Sequence, residues 1–271
     1  MGIFTSHGKF LGQLTSPTSK NIVLRQAQYA RNNDPDFTLA FARTLVGSKM
    51  SNALEFLRGF SHNHPEANLR DESSRLSTSC SQVDLQPDLA SLLGLEGSGG
   101  RIYFQAFGQM VLKEFQFTGR HRRPAPDPVN ALLSLGYTMV YNEIGSLLDG
   151  LGFDPYLGFY HQPHYGHATM ASDLLEEFRT PLVDRLTLNL INNRVLNQED
   201  FYLHAASGSC YLKDEPRKRY FVEYEAFVTR SMACPDDGTE TSFRRLFRRQ
   251  AERLRHSITT AEAYTPYRFC W

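Results

Sequence analysis

Apolar residues recur at helical spacing over most of the chain. Ile22, Val23, Leu24, Ala27 and Tyr29 mark an amphipathic first helix. Leu39, Phe41, Ala42, Leu45 and Val46 carry a second one toward Leu57. Asp34-Pro35 suits its start, because Asp caps free backbone N–H groups and Pro is tolerated at the first helical position. Asp127-Pro128 repeats the device ahead of the apolar stretch Val129–Leu151. That stretch holds Asn130, Asn142, Glu143 and Asp149, so it reads as a buried helix and not a membrane span. Thr180-Pro181 suggests a further start, with Leu182 to Val195 as a separate helix. Residues 216–232 and 239–256 complete the helical set, the last strongly basic. Residues 61–85 are polar and read as a loop or a short exposed helix. Only 4–14 (FTSHGKFLGQL) and 202–213 (YLHAASGSCYLK) read as strands and turns. The predicted class is mainly α.

Gly97 to Gly100 (GSGG) has the composition of a linker, yet Ile102, Tyr103, Phe104, Phe107 and Met110 follow at helical recurrence. Glycines inside a helix cost about 1 kcal/mol each relative to Ala. Such a cost points to close packing or to close approach of a ligand. Glu96 is then expected at the start of this helix.

The chemistry concentrates in Gly158 to Arg179, GFYHQPHYGHATMASDLLEEFR. Ala168, Met170, Ala171, Leu174, Leu175 and Phe178 predict a helix over its second half. Asp173 and Glu176 lie three apart, so both carboxylates leave one face, about 60° apart. His161 precedes them in an aromatic loop. A loop histidine folded over two carboxylates is a plausible hard-metal site for magnesium or manganese. Two other readings stay open: a solvated helix face with a packing histidine, and a zinc site built from His161, His164 and His167.

With 271 residues and 41% hydrophobic content the chain can bury a sizeable core, as one large domain or two smaller ones. Its formal net charge of +0 argues against a uniformly basic surface. Local basic tracts exist at 120–123, 217–219 and 244–255. Cys80, Cys210, Cys234 and Cys270 are widely spaced. With no signal peptide visible, they suggest reduced thiols in a cytoplasm.

Five ordered motifs carry a resemblance: LRQAQY (24–29), EGSGGRIYF (96–104), RHRRPAPDPVNALLSLGYTMVYNEI (120–144), the His and carboxylate block, and GSCYLKDEPRKRYFVEYE (208–225). Together they resemble the CRISPR-associated adaptation integrase and endonuclease family, the universal "Cas-one" protein, over nearly the whole chain. The resemblance implies a helical catalytic domain at 19–271, preceded at 1–18 by the last strand and linker of a mostly absent β domain. On that basis the chain is a compact variant, an excised domain or part of a fusion, such as one with a reverse transcriptase.

The resemblance further implies a metal, Mg2+ or Mn2+, held by Glu96, His161 and Glu176, with Asp173 as a further catalytic position of ambiguous role. The implied activity joins the 3′-hydroxyl of captured DNA to a CRISPR repeat by phosphodiester transesterification. DNA-contact candidates are Arg120, Arg122, Arg123, Lys213, Arg217, Arg219, Arg244, Arg245, Arg248 and Arg249. His167 stands where many relatives carry Arg or Lys, which weakens an anion contact there. Implied partners are double-stranded DNA, a second copy of the chain and a small "Cas-two" dimer. The competing reading is a catalytically silent DNA-binding or scaffold module.

Overall fold

The computed structural model describes residues 2–5, 10–13, 21–111 and 114–271. Among them the chain is mainly helical, as the periodicity predicts. Helices α1 (Ile22–Asn32), α2 (Pro35–Asn63), α3 (Arg70–Ser81), α4 (Leu89–Met110) and α5 (Pro128–Leu151) form the first half. After α5 come α6 (Thr169–Leu175), α7 (Arg185–Asn192), α8 (Asp214–Thr229) and α9 (Phe243–Thr260). Three two-stranded antiparallel hairpins accompany them: β1 (Gly2–Phe4) with β2 (Phe10–Gln13), β3 (Phe201–His204) with β4 (Ser209–Leu212), and β5 (Met232–Ala233) with β6 (Glu240–Thr241). The 202–213 expectation thus becomes β3–β4, with Tyr202 opposite Tyr211. Of the 4–14 expectation, residues 6–9 and 14 lie outside the described residues; the remainder pairs as β1–β2. No helix among the described residues is long and apolar enough to cross a membrane.

The cap-plus-proline readings hold at two of three places. Asp34 Oδ1 accepts from the Asp36 and Phe37 amides at 3.1 Å each, starting α2. Asp127 Oδ1 accepts from Asn130 N at 2.8 Å, starting α5, which stops at Gly152 with φ 93°. Thr180-Pro181 starts nothing. It lies inside a π-helical stretch, Arg179–Asp184, that joins α6 to α7. Buried Leu182 and Val183 hold that stretch in the core, so tertiary packing overrides the local signal.

Two further expectations are corrected. The polar stretch 61–85 contains α3, whose Leu76 and Ser79 are buried between α2 and α4. Glu96 is not at a helix start: Asp88 caps α4 through Ser91 N at 2.7 Å, and GSGG lies within the helix.

α2 is the central rod. It packs against α3, α4 and the π stretch, and buries Phe41, Leu45, Met50, Phe56 and Leu57. The α4 glycines divide by role. A Cβ on Gly99 would stand 2.6 Å from Met50 Cε, so Gly99 lets α4 approach α2 closely. A Cβ on Gly97 would meet nothing within 4 Å.

This division predicts opposite outcomes for two similar substitutions. Gly97→Ala should raise stability by about 0.5–1 kcal/mol, the helix-propensity gain. Gly136→Ala should lower it by about 1–3 kcal/mol through overpacking, because its Cβ would lie 2.6 Å from Val183 Cγ1 and 2.8 Å from Tyr220 Oη. Urea unfolding of both variants checks the pair. Equal effects would show that crowding does not decide either position.

Candidate metal centre

Three segments converge on one buried group of charges. α4 brings Glu96, the loop before α6 brings His161, and the irregular turn after α6 brings Glu176. α2 adds Lys49, which the sequence reading did not single out. The Lys49 ammonium pairs with Glu96 Oε1 and lies 2.7 Å from Glu176 Oε2. Arg179 Nε reaches the same Glu176 oxygen at 2.8 Å. His161 Nε2 stands 3.7 Å from Glu176 Oε1. The hydroxyl of Tyr160 donates to Glu96 Oε2 at 2.8 Å.

Asp173 is separate in kind. It is fully buried and each of its oxygens accepts twice. Oδ2 takes the amides of Phe159 (2.6 Å) and Tyr160 (3.1 Å), and Oδ1 takes the amide and Nδ1 of His161 (3.0 and 2.7 Å). The carboxylate therefore pins the 159–161 backbone and orients the imidazole. An ionised carboxylate only accepts, so Nδ1 carries a hydrogen and Nε2 faces Glu176. Gly158 makes this approach possible: a Cβ there would lie 2.6 Å from Asp173 Oδ2.

Electrostatics follow from burial and opposite charge. Burial alone raises the Glu176 carboxyl, but Arg179, Lys49 and His161 outweigh it and hold Glu176 well below the usual carboxylate range. Burial alone would lower Lys49, yet Glu176 and Glu96 keep its ammonium above its ordinary value. Burial likewise opposes the His161 cation, while the Asp173 hydrogen bond and the Glu176 and Asp173 charges raise it. The next residue, Glu177, belongs to a different cluster. Burial pushes it up to about 7, against hydrogen bonds from Tyr264, Tyr267 and Gln250.

The donor set suits a hard divalent ion: one carboxylate from α4, one from the turn after α6, and one imidazole, with the carboxylates already clamped on a cation. Among the described residues, no three His, Cys, Asp or Glu side chains close on one point as they stand. Lys49 fills the gap between Glu96 and Glu176. The three-histidine zinc arrangement does not assemble. His164 Nδ1 pairs with the Tyr165 carbonyl, whereas His167 stacks on Tyr141 and contacts Ser172 Oγ at 2.9 Å.

Beside the charges lies a pocket lined by Lys49, Glu96, Tyr103, Arg120, Arg122 and Arg179, among others. Its wall includes Asp184, which accepts from Tyr103 (2.7 Å) and Tyr137; Arg179 lies 4.5 Å from the Tyr137 ring centre. Of the ten basic candidates, Arg120 and Arg122 line this pocket. Arg120 is committed, donating to Asn130 and Ser134 at 3.0 Å each. Lys213 meets the Glu199 carbonyl. Arg217 pairs with Asp214, Arg219 with Asp200, Arg248 with Glu252 and Arg249 with Asp237. Arg244 pairs with both Glu143 and Glu225. Arg122, Arg123 and Arg245 are exposed and form no ion pair among the described residues.

Removing Lys49 should expose the mutual repulsion of Glu96 and Glu176. Lys49→Met is expected to cost on the order of 3 kcal/mol in urea unfolding. Adding Glu96→Gln should recover a large part of that loss. Strict additivity of the two changes would show that the pair is not coupled.

Residues 1–226 match the family model for the CRISPR associated protein Cas1. A CRISPR-associated endonuclease Cas1 of Chlorobaculum tepidum is 34% identical over 271 residues, spanning 97% of this chain and 79% of the relative. A Cas6-RT-Cas1–Cas2 complex contains a chain that superposes with TM-score 0.82 at 29% identity, covering 100% of this chain and 29% of that one. A casposase bound to integration product superposes with TM-score 0.85 at 22% identity, covering 98% and 73%, a likeness of fold. The ordered motifs and the helical architecture accord with these matches, and the chain belongs to the CRISPR-associated Cas1 family.

Proposed function

We propose that this chain is a metal-dependent DNA integrase and endonuclease of CRISPR adaptation, with residues 19–271 as the catalytic unit. The observation that carries the reading is the cation clamped between Glu96 and Glu176, beside an imidazole whose tautomer Asp173 fixes. Glu96, His161 Nε2 and Glu176 would hold Mg2+ or Mn2+; Asp173 orients His161. A bound divalent ion supplies charge stabilisation for phosphoryl transfer at the DNA backbone. The 3′-hydroxyl of one DNA strand attacks a phosphorus of another, forming one P–O bond and releasing the displaced 3′-oxygen. No protein nucleophile enters.

The chain's own cations act on the phosphate. Arg122, on the rim of the pocket and unpaired, meets the approaching strand, with Arg123 beside it. Arg120 and Arg179, stacked near Tyr137, set a positive field at the pocket floor. The partners proposed are DNA and a Cas2-type protein, as in the complexes above, and, on the motif resemblance alone, a second copy of the chain.

Glu176→Ala, Glu96→Ala and His161→Ala should each abolish joining of a labelled duplex to a supercoiled target while DNA binding persists. Asp173→Asn should keep measurable activity that extra Mn2+ partly restores, since an orienting partner typically costs about 10- to 100-fold. The assay is single-turnover joining across a Mn2+ titration. Wild-type joining by Glu176→Ala would remove the metal-site reading and leave a silent DNA-binding or scaffold module.

Arg122→Ala combined with Arg123→Ala should weaken binding to unrelated duplexes alike and flatten its salt dependence. Each lost phosphate contact removes about 0.9 from the log–log slope. An unchanged slope would place this tract away from DNA.

A further inference from the structure

The metal-site turn is braced from the end of the chain. Regular α-helix stops at Leu175, and the π stretch begins at Arg179. The Glu176 and Phe178 amides each donate three residues back, to Asp173 O (3.1 Å) and Leu175 O (2.9 Å), and the Phe178 carbonyl accepts from Leu182 N at 3.1 Å. Irregular backbone of this kind holds its shape only when its surroundings over-determine it.

Those surroundings come from residues 262–271. α9 ends at Thr260, and Ala261 at φ 65° redirects the chain. The segment then runs without helix or strand, yet Tyr264 and Tyr267 are buried. The Tyr264 hydroxyl and the Tyr267 amide (2.7 Å) both donate to the Glu177 carboxylate. The Tyr267 ring stacks on Phe178 at 5.4 Å. These two contacts grip the residues directly after Glu176.

The same segment grips α2 on either side of Lys49. The Tyr267 carbonyl accepts from Ser48 Oγ at 2.6 Å and from Asn52 Nδ2 at 3.2 Å. Asn52 is the junction. Its Nδ2 also donates to the Glu177 carbonyl at 3.0 Å, and its Oδ1 accepts from the Phe269 amide at 2.8 Å. One buried amide thus ties α2, the Glu176 turn and the terminal segment together.

We propose that residues 264–269, with Asn52, form a positioning strap that fixes Glu176 relative to α2 and so sets the divalent-metal affinity of the site. The proposal rests on the metal reading given above. The strap touches no substrate; it acts through Glu177 and Phe178 on Glu176. A strap that merely adds stability would lower the melting temperature and leave metal affinity unchanged. A positioning strap lowers affinity in a protein that remains folded.

The test uses the full chain and Mn2+ alone. Isothermal titration measures Mn2+ binding to wild type and Asn52→Ala well below the melting temperature, with circular dichroism confirming the fold. Hydrogen exchange follows the peptide over residues 174–184. The strap predicts about 10- to 100-fold weaker Mn2+ binding and faster exchange in that peptide, with α5 and α8 unchanged. Tyr264→Phe removes one hydroxyl and keeps every backbone bond. It should weaken Mn2+ binding by about three- to tenfold, and it decides the matter if Asn52→Ala fails to fold. Mn2+ affinity within twofold of wild type in the folded variants overturns the strap and spares the metal reading. Absence of Mn2+ binding by wild type itself overturns that reading and the strap's role with it.

Discussion

Everything near the centre of this fold answers to one constraint: carboxylates withdrawn from water need compensating positive charge. Glu176 is almost fully buried and Glu96 largely so, and they arrive from different elements, the turn after α6 and helix α4. Left alone, they would repel each other in a medium that screens poorly. Lys49 from α2 and Arg179 from the π stretch supply the compensation, and His161 adds more when protonated. Because the two cations also come from different elements, the cluster fixes how α2, α4 and the α6–α7 rod sit against one another. The same constraint underlies the proposed metal reading: the two carboxylates are already closed on a cation, the Lys49 ammonium.

The second requirement is geometric. A side chain on a regular helix would be placed by the helix alone, whereas Glu176 follows the last residue of α6 and precedes a π stretch. That irregularity turns Glu176 toward Glu96 and leaves Glu177 facing the opposite cluster of Tyr264 and Gln250. Two adjacent glutamates therefore serve two environments. Burial pushes both carboxyls up, but Glu176 is surrounded by positive charge and ends below its ordinary value, whereas Glu177, held mainly by neutral donors, ends above it.

What the sequence made legible was local or contiguous. Asp34-Pro35 and Asp127-Pro128 could be read because a cap involves only the next three residues. His161, Asp173 and Glu176 lie within one stretch, and Glu96 was reached through an ordered motif. The rest needed contacts distant in sequence. The GSGG glycines pointed to close packing or a ligand's approach, but that Gly99 is the one packed on a neighbour needed Met50. The polar composition of 61–85 allowed a loop or a short exposed helix, and did not show that Leu76 seats that helix in the core. Thr180-Pro181 carries a start signal, but the core around Leu182 and Val183 ignores it. Lys49 left one trace: it falls on the apolar stripe of Val46, Met50 and Ala53, where a charge has no ordinary reason to be. Neither that trace nor the chain-terminal Tyr264 and Tyr267 points to Glu176 or Glu177 until the fold supplies the partner.

Basic residues divide by the same principle. Composition gave clusters of arginine but not their state. On α8 and α9, Arg217, Arg244, Arg248 and Arg249 face carboxylates within reach, so much of their charge is already answered inside the protein. Exposed pairs of that kind contribute little to stability, but they also leave little net field for a polyanion. Around the pocket the balance differs. Arg120 bonds only neutral oxygens, and Arg122 and Arg123 stand in solvent. A chain of formal net charge +0 can therefore still present a positive rim beside its carboxylates. The proposed phosphodiester reading uses this juxtaposition: exposed cations draw in a phosphate backbone that the carboxylates alone would repel.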